Sequence, residues 1–158
     1  MLSKLDTVSA LLYIQFMAFE EKRAWMMGIV TVVAYAVYVI VILGRWESGP
    51  LVDVPYVAPV LWTIGGAIVT TIVLHTVLAT FSPEDADVKD QRDREITRFG
   101  EHAGRSLVVV GGMAAFVLAL VDADQFWIAN ALYLAFALSA VAECVAKVAA
   151  YRKGFWPW

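Results

Sequence analysis

A run of twenty consecutive residues without a charged side chain, residues 24–43, constrains this chain more than any other feature. A helix of about twenty apolar residues has the length that crosses the hydrocarbon core of a bilayer. The chain as a whole has 158 residues, of which 61% are hydrophobic and only 17% charged. Soluble domains contain about 25% charged residues. The sequence therefore predicts one membrane domain, residues 1–158, and argues against a soluble one.

Three further apolar stretches predict three more membrane-spanning helices. The four predicted spans are residues 24–43, 56–81, 103–121 and 126–150. Pro59 falls in the first turn of the second span, where a proline costs little because the N–H at that position has no helical partner. The predicted fold class is an all-α, four-helix transmembrane bundle.

Residues 2–19 predict a separate amphipathic helix on the membrane surface. Their apolar side chains recur at intervals of three and four residues, and the polar side chains lie off that stripe. A cleaved signal peptide is the alternative, but Asp6 interrupts the basic region that such a peptide needs, and no small-x-small cleavage site precedes Glu20. We expect an interfacial helix that is interrupted by the charged residues 20–23.

The charged stretch of residues 82–105 connects the two apolar halves of the chain and sets their orientation. Its acidic and basic side chains are spaced as helical pairs, such as Glu101 and Arg105, which predicts that the stretch continues the third span into water as a helix. With four spans, eleven of the twelve Lys and Arg residues lie on the same side as both termini, and only Arg45 lies opposite. The positive-inside rule then predicts a multi-pass protein of the plasma membrane with both termini in the cytoplasm.

Five ionisable side chains at the cytoplasmic ends of the predicted spans are candidates for a ligand-binding or partner-binding site. Because they fall at one level, they could form a ring at the cytoplasmic mouth of the bundle. These residues are His75, His102, Arg105, Glu143 and Lys147. The structural alternative is that Glu143 and Lys147 form an i,i+4 pair on one helix while His75 bonds to a neighbouring helix.

The predicted midplane of the bundle has no carboxylate or cation, and its only ionisable side chains are Tyr35, Tyr38 and Tyr133. Ion-coupled transporters place a carboxylate or a broken helix at that depth. The sequence has no supporting metal-ligand spacing, no nucleophile motif and no basic face for nucleic acid, so we predict no catalytic residue, metal, cofactor or nucleic-acid partner. A single cysteine, Cys144, excludes an intrachain disulfide.

Small residues predict where the helices approach one another closely. Helix association in lipid depends on van der Waals packing, which glycine and alanine permit at short distance. The candidates for this packing are Gly65, Gly66, Gly104, Gly111, Gly112 and Ala115. Two arrangements follow from them: contact between the second and third spans of one chain, or contact across the axis of a homodimer.

The segments KDQRDREI, residues 89–96, and FWIANALYLAF, residues 126–136, resemble the small four-span membrane proteins of bacteria. The resemblance is one of pattern and covers mainly residues 89–154. It implies a four-span topology and a bacterial inner membrane, and it transfers no activity and no site residue.

Together these features favour a non-enzymatic membrane protein that binds a partner subunit or itself through small-residue helix faces. The charged helix of residues 82–105 would be its cytoplasmic contact surface. A small-molecule transporter or a pore-forming oligomer is the alternative, and it requires a continuous polar path. A membrane enzyme is the third hypothesis, and it requires that a group of side chains converge on one cavity, namely His75, His102, Arg105 and Glu143.

Overall fold

The computed structural model describes the backbone of residues 2–81 and 91–153, with side chains for residues 23–77, 80 and 91–152. These residues form four α-helices and one short 3-10 helix, without a β-strand. The helices are α1 Leu2–Arg45, η1 Leu51–Asp53, α2 Val57–Phe81, α3 Gln91–Leu120 and α4 Gln125–Lys153. Each α-helix is long and apolar enough to cross a membrane. The prediction of an all-α chain with four such helices is confirmed for this part of the chain.

The first helix, α1, runs from Leu2 to Arg45 without a break. Residues 2–19 and the first predicted span therefore belong to one helix, where we expected two. The charged residues 20–23 do not interrupt it, because Glu, Lys and Arg are all good helix formers. The surface position of residues 2–19 stays a prediction.

The helices pack as an open row in the order α2, α1, α4, α3. The fourth helix packs against both α3 and α1, and α1 packs against α2. Between residues 57–81 and 91–120 the described chain forms no interface of comparable extent. Of the two arrangements expected for the glycine pairs, close contact between the second and third spans within one chain is therefore not formed.

The short connection between α3 and α4 explains this order. Asp122 adopts a φ of 51°, in the left-handed region that Asp tolerates better than most residues. Asp124 then caps α4, because its Oδ1 accepts a hydrogen bond of 2.8 Å from the Phe126 N–H. A tight turn with a capped exit places α4 directly beside α3, so α3 packs on α4 and α2 lies at the other edge of the row.

Small residues bring α3 and α4 close together. A Cβ atom added to Gly111 would overlap the Cβ of Ala135, and one added to Gly104 would lie 3.0 Å from the Ser139 carbonyl oxygen. Ala115, one turn beyond Gly111, is buried. This face of α3 permits the close backbone approach on which helix packing in lipid depends.

The charged first turns of α3 pack against the last turns of α4. Ile96 has no exposed surface, and it forms a buried cluster with Ala150 and Tyr151. The Tyr151 hydroxyl also donates a hydrogen bond of 3.1 Å to Asp93 Oδ1. An apolar contact and a hydrogen bond therefore attach this charged segment to α4.

The acidic and basic pair Glu101 and Arg105 on α3 does not close in the described part of the chain. Glu101 and Arg105 were expected to pair along the helix, but both side chains are exposed and form no ion pair in the described part of the chain. An exposed pair contributes about 0–1 kcal/mol, so little drives it to close. Packing around Ile96 and the Tyr151–Asp93 hydrogen bond, and not this pair, attach the segment to α4.

Candidate functional site

The five candidate ionisable residues are divided among separate places, beginning with His75. This residue lies on α2 and contacts Arg23 on α1. The Arg23 Nε–H donates a hydrogen bond of 2.6 Å to His75 Nε2, and Arg23 Nη2 lies 3.3 Å from His75 Nδ1. A ring nitrogen that accepts a hydrogen bond carries no proton, so this geometry requires the neutral imidazole. The contact joins α1 to α2.

Glu143 and Lys147 form a second, separate pair on α4. The Lys147 Nζ donates to Glu143 Oε1 at 2.6 Å, and both side chains are partly buried. The pair lies against α3, because the stem of Lys147 covers Gly100: a Cβ added there would be 2.6 Å from Lys147 Cγ. The stem is apolar along its length, so it packs while its charge stays with the carboxylate.

An apolar contact between α1 and α4 separates the two pairs. It contains Ala24, Cys144 and Val148, and the Cys144 thiol donates a hydrogen bond of 3.0 Å to the Ala24 carbonyl oxygen. A Cβ added to Gly28 would lie 2.6 Å from Cys144 Sγ, which shows how closely the helices approach. The Arg23 contact lies on the α2 side of α1, and the Lys147 pair lies on the α3 side of α4.

The remaining two candidates, His102 and Arg105, point away from both pairs. Both side chains are exposed on α3, and neither makes a hydrogen bond or an ion pair in the described part of the chain. Within that part, no three His, Cys, Asp or Glu side chains come together either. The described residues thus do not form the common cavity that the enzyme hypothesis requires.

The largest buried cluster lies at the opposite end of the bundle, near η1 and the α3–α4 turn. The cluster consists of Tyr38, Ile42, Val54, Phe126 and Tyr133. Aromatic rings fill it: Tyr133 meets Tyr38 edge to face, with 5.0 Å between ring centroids. Such ring pairs contribute about 0.5–1.5 kcal/mol beyond the area they bury.

Two tyrosine hydroxyls in this cluster link three helices. The Tyr38 hydroxyl on α1 donates a hydrogen bond of 2.5 Å to Asn130 Oδ1 on α4. The Tyr133 hydroxyl on α4 donates one of 3.0 Å to Thr63 Oγ1 on α2. In lipid, where water does not compete, such interhelical bonds average about 0.6 kcal/mol and reach about 2 kcal/mol. They fix the relative rotation of the helices.

A cavity of about 400 Å³ lies beside this cluster, between α1, α3 and α4. Tyr35, Tyr38 and Asn130 contribute its polar atoms, and Leu118 and Trp127 are among its apolar walls. From the sequence alone, Tyr35 and Tyr38 are noted only as ionisable side chains of the predicted midplane. The spacing of Tyr35 and Tyr38, three residues apart on one helix face and level with Tyr133, is the signal that indicates this site.

The glycine pair of α2 lies on the outer face of the row. A Cβ added to Gly65 or Gly66 would meet no atom within 4 Å, and the same holds for Gly112 on α3. Trp62, one turn before Gly66, is 80% exposed. A shallow depression on this face of α2 is lined by Ala58, Leu61, Trp62, Gly65, Gly66 and Val69. We call these six residues the α2 glycine face.

Among the surfaces open to a ligand or a partner in the described part of the chain are the cavity beside Tyr35 and the α2 glycine face. The first is concave with hydrogen-bonding groups, and the second is a helix surface with a notch. The side chains of His75 and Glu143 already have partners: His75 bonds to Arg23 on α1, and Glu143 pairs with Lys147 on α4. No family model matches the sequence, and no curated protein or solved structure matches it.

Proposed function

We propose that this chain is a non-enzymatic membrane protein of the bacterial plasma membrane that self-associates as a homodimer through the α2 glycine face. The observation that carries the proposal is the adjacent pair Gly65 and Gly66 in the middle of a long apolar helix, where a Cβ added to either residue would meet no atom within 4 Å. Small residues on a helix face are the usual contact surface between helices in lipid.

The other glycines of this chain support that role. Glycine inside a helix costs roughly 1 kcal/mol relative to alanine, and the close helix contact that it permits offsets this cost. Four helix glycines permit such a contact here, because a Cβ on any of them would lie within 3.0 Å of an atom of another helix: Gly28, Gly100, Gly104 and Gly111. A second copy of the chain would give Gly65 and Gly66 the same role.

The shape of the face suits a symmetric dimer. Two copies inserted in the same direction are related by a twofold axis along the membrane normal, so equal depths of the two α2 helices meet. Trp62 projects beside the notch at Gly66, one helical turn away. With equal depths opposed, the two Trp62 side chains lie at one level, and the two glycine notches meet one turn further along α2.

A basic stripe on α3 provides the proposed contact with a cytoplasmic partner. Arg94, Arg98 and Arg105 are exposed and recur at intervals of four and seven residues, and the exposed Glu101 lies on the same face between Arg98 and Arg105. The residues that face α4, including Ile96 and Gly100, lie on the opposite side of the helix. With both termini in the cytoplasm, as the charge distribution predicts, this stripe is available to an acidic protein surface.

Gly65→Leu tests the proposed dimer. The leucine side chain fills the notch, so we expect the dimer to dissociate at least tenfold more readily, as measured by energy transfer between labelled copies in vesicles. Gly112→Leu is the control, since Gly112 is also an open glycine in an apolar helix but lies on α3. Equal weakening by both variants, or a chain that is monomeric at all dilutions, would contradict the proposal.

A further inference from the structure

The cavity beside Tyr35 has the properties of a small-molecule site. Its volume of about 400 Å³ lies within the range of about 300–1,000 Å³ that is usual for ligand pockets. Its walls come from three helices and from η1, which contributes Leu51. Because α1 and α3 both pack on α4, the cavity is a groove with α4 as its floor and one open side.

Two hydrogen-bond donors at this groove are not used within the described part of the chain. The Asn130 Nδ2 donates one hydrogen bond, of 2.8 Å, to the Phe126 carbonyl oxygen, and an amide nitrogen has a second N–H to donate. Tyr35 lines the same groove, and its hydroxyl makes no hydrogen bond in the described part of the chain. The Tyr38 hydroxyl, in contrast, is already bonded to Asn130.

The depth of these donors determines what can satisfy them. Asn130 lies five residues into α4, which is about 7.5 Å of helix from Gln125. When α4 spans a bilayer, that position lies inside the hydrocarbon layer, where water is scarce. A donor that stays without an acceptor there is costly. A molecule dissolved in the lipid can supply that acceptor.

We propose that the groove binds an apolar, lipid-soluble molecule that carries a carbonyl group. The Asn130 N–H and the Tyr35 hydroxyl donate hydrogen bonds to the carbonyl oxygen, and the apolar part of the molecule packs against Trp127 and Leu118. The carbonyl can belong to a quinone ring or to the ester of an acyl lipid, because both present the same acceptor. This proposal does not depend on self-association of the chain.

Three probes of similar apolarity test this proposal with the full chain in detergent micelles. Decylubiquinone carries ring carbonyls, methyl palmitate carries an ester carbonyl, and decylbenzene has no acceptor. A ligand that binds the native state raises the midpoint of thermal unfolding in a saturable way. We expect saturable shifts from at least one carbonyl probe and none from decylbenzene. The carbonyl probe that binds more tightly identifies the natural source of the carbonyl group.

The variant Tyr35→Phe removes one donor and leaves the ring in place. We expect it to weaken carbonyl-probe binding about two- to tenfold, the usual range for one hydrogen bond. Tyr133→Phe is the control, because its hydroxyl bonds to Thr63 instead of lining the groove. The proposal is overturned if neither carbonyl probe binds saturably, if decylbenzene binds equally well, or if Tyr35→Phe binds like the unmodified chain.

Discussion

Gly111→Ala is expected to destabilise the protein by about 3 kcal/mol, although it adds a single methyl group. The new Cβ would overlap the Cβ of Ala135. Neither atom can rotate away, because each is attached directly to a helix backbone, so α3 and α4 have to move apart. Overpacking of this kind costs about 1–3 kcal/mol, and more when backbones must shift.

The neighbouring residue supplies the control for this prediction. Gly112→Ala is the same change one position along the same helix, where the added atom meets nothing within 4 Å. We expect it to be neutral or to stabilise by up to about 1 kcal/mol, because alanine favours helix more than glycine does. Unfolding in a denaturing detergent measures the change in the free energy of unfolding for each variant. Equal unfolding midpoints for the two variants would show that α3 and α4 do not meet at Gly111.

Ile96→Ala is expected to release the first turns of α3 from α4. Ile96 is fully buried within a segment that is otherwise charged. Because this segment extends beyond the apolar part of α3, burial of its side chain gains the full hydrophobic effect. An Ile→Ala change in such a position costs about 2–5 kcal/mol. We therefore expect amide hydrogens of residues 91–100 to exchange at least tenfold faster, with little change across the rest of α3.

The milder variant Ile96→Val calibrates this effect. It removes one methylene group and should cost about 0.5–1.5 kcal/mol, with a correspondingly smaller rise in exchange. Retention of the Tyr151–Asp93 hydrogen bond would limit the fraying in both variants. Unchanged exchange in Ile96→Ala would mean that charge pairing or another contact holds this segment.

The number and approximate position of the helices could be predicted from the sequence because both depend on local properties. An apolar run of about twenty residues indicates a membrane-spanning helix, because the thickness of the bilayer sets the length that such a helix needs. The continuity of α1 through residues 20–23 could not be predicted with the same ease. Glu, Lys and Arg are good helix formers, so a run of these residues does not indicate that a helix ends. The helix α1 continues through residues 20–23.

The choice of partners among the helices could not be predicted from local properties. The pairs Gly65–Gly66 and Gly111–Gly112 look equivalent in sequence, yet Gly111 is in tight contact and both glycines of the first pair are open. What differs is the connectivity: the short turn at residues 121–124 holds α3 beside α4. The spacing of small residues in the sequence predicts a helix face that permits close packing. It does not predict which helix packs against that face.

The candidate ring of ionisable residues is also not formed among the described residues, and the order of the helices, which could not be predicted, explains why. Counting along each span predicts depth, and it placed His75 and Glu143 at one level. It does not predict which neighbouring helix a side chain faces, because that depends on the order in which the helices pack. His75 faces α1 and Glu143 faces α3, with the contact around Cys144 between them. The groove beside Tyr35 was missed for the same reason, since it exists only where α1, α3 and α4 meet.

Self-association through the α2 glycine face is tested most directly by disulfide cross-linking in native membranes. Cys144→Ala first removes the single native cysteine, which is buried. A new cysteine is then placed on the face with Ala58→Cys, or on α3 with Leu120→Cys, both exposed positions at the same end of the bundle. We predict that mild oxidation yields a covalent dimer from Ala58→Cys and little from Leu120→Cys. A monomeric Ala58→Cys chain, or equal cross-linking of the two, would contradict it.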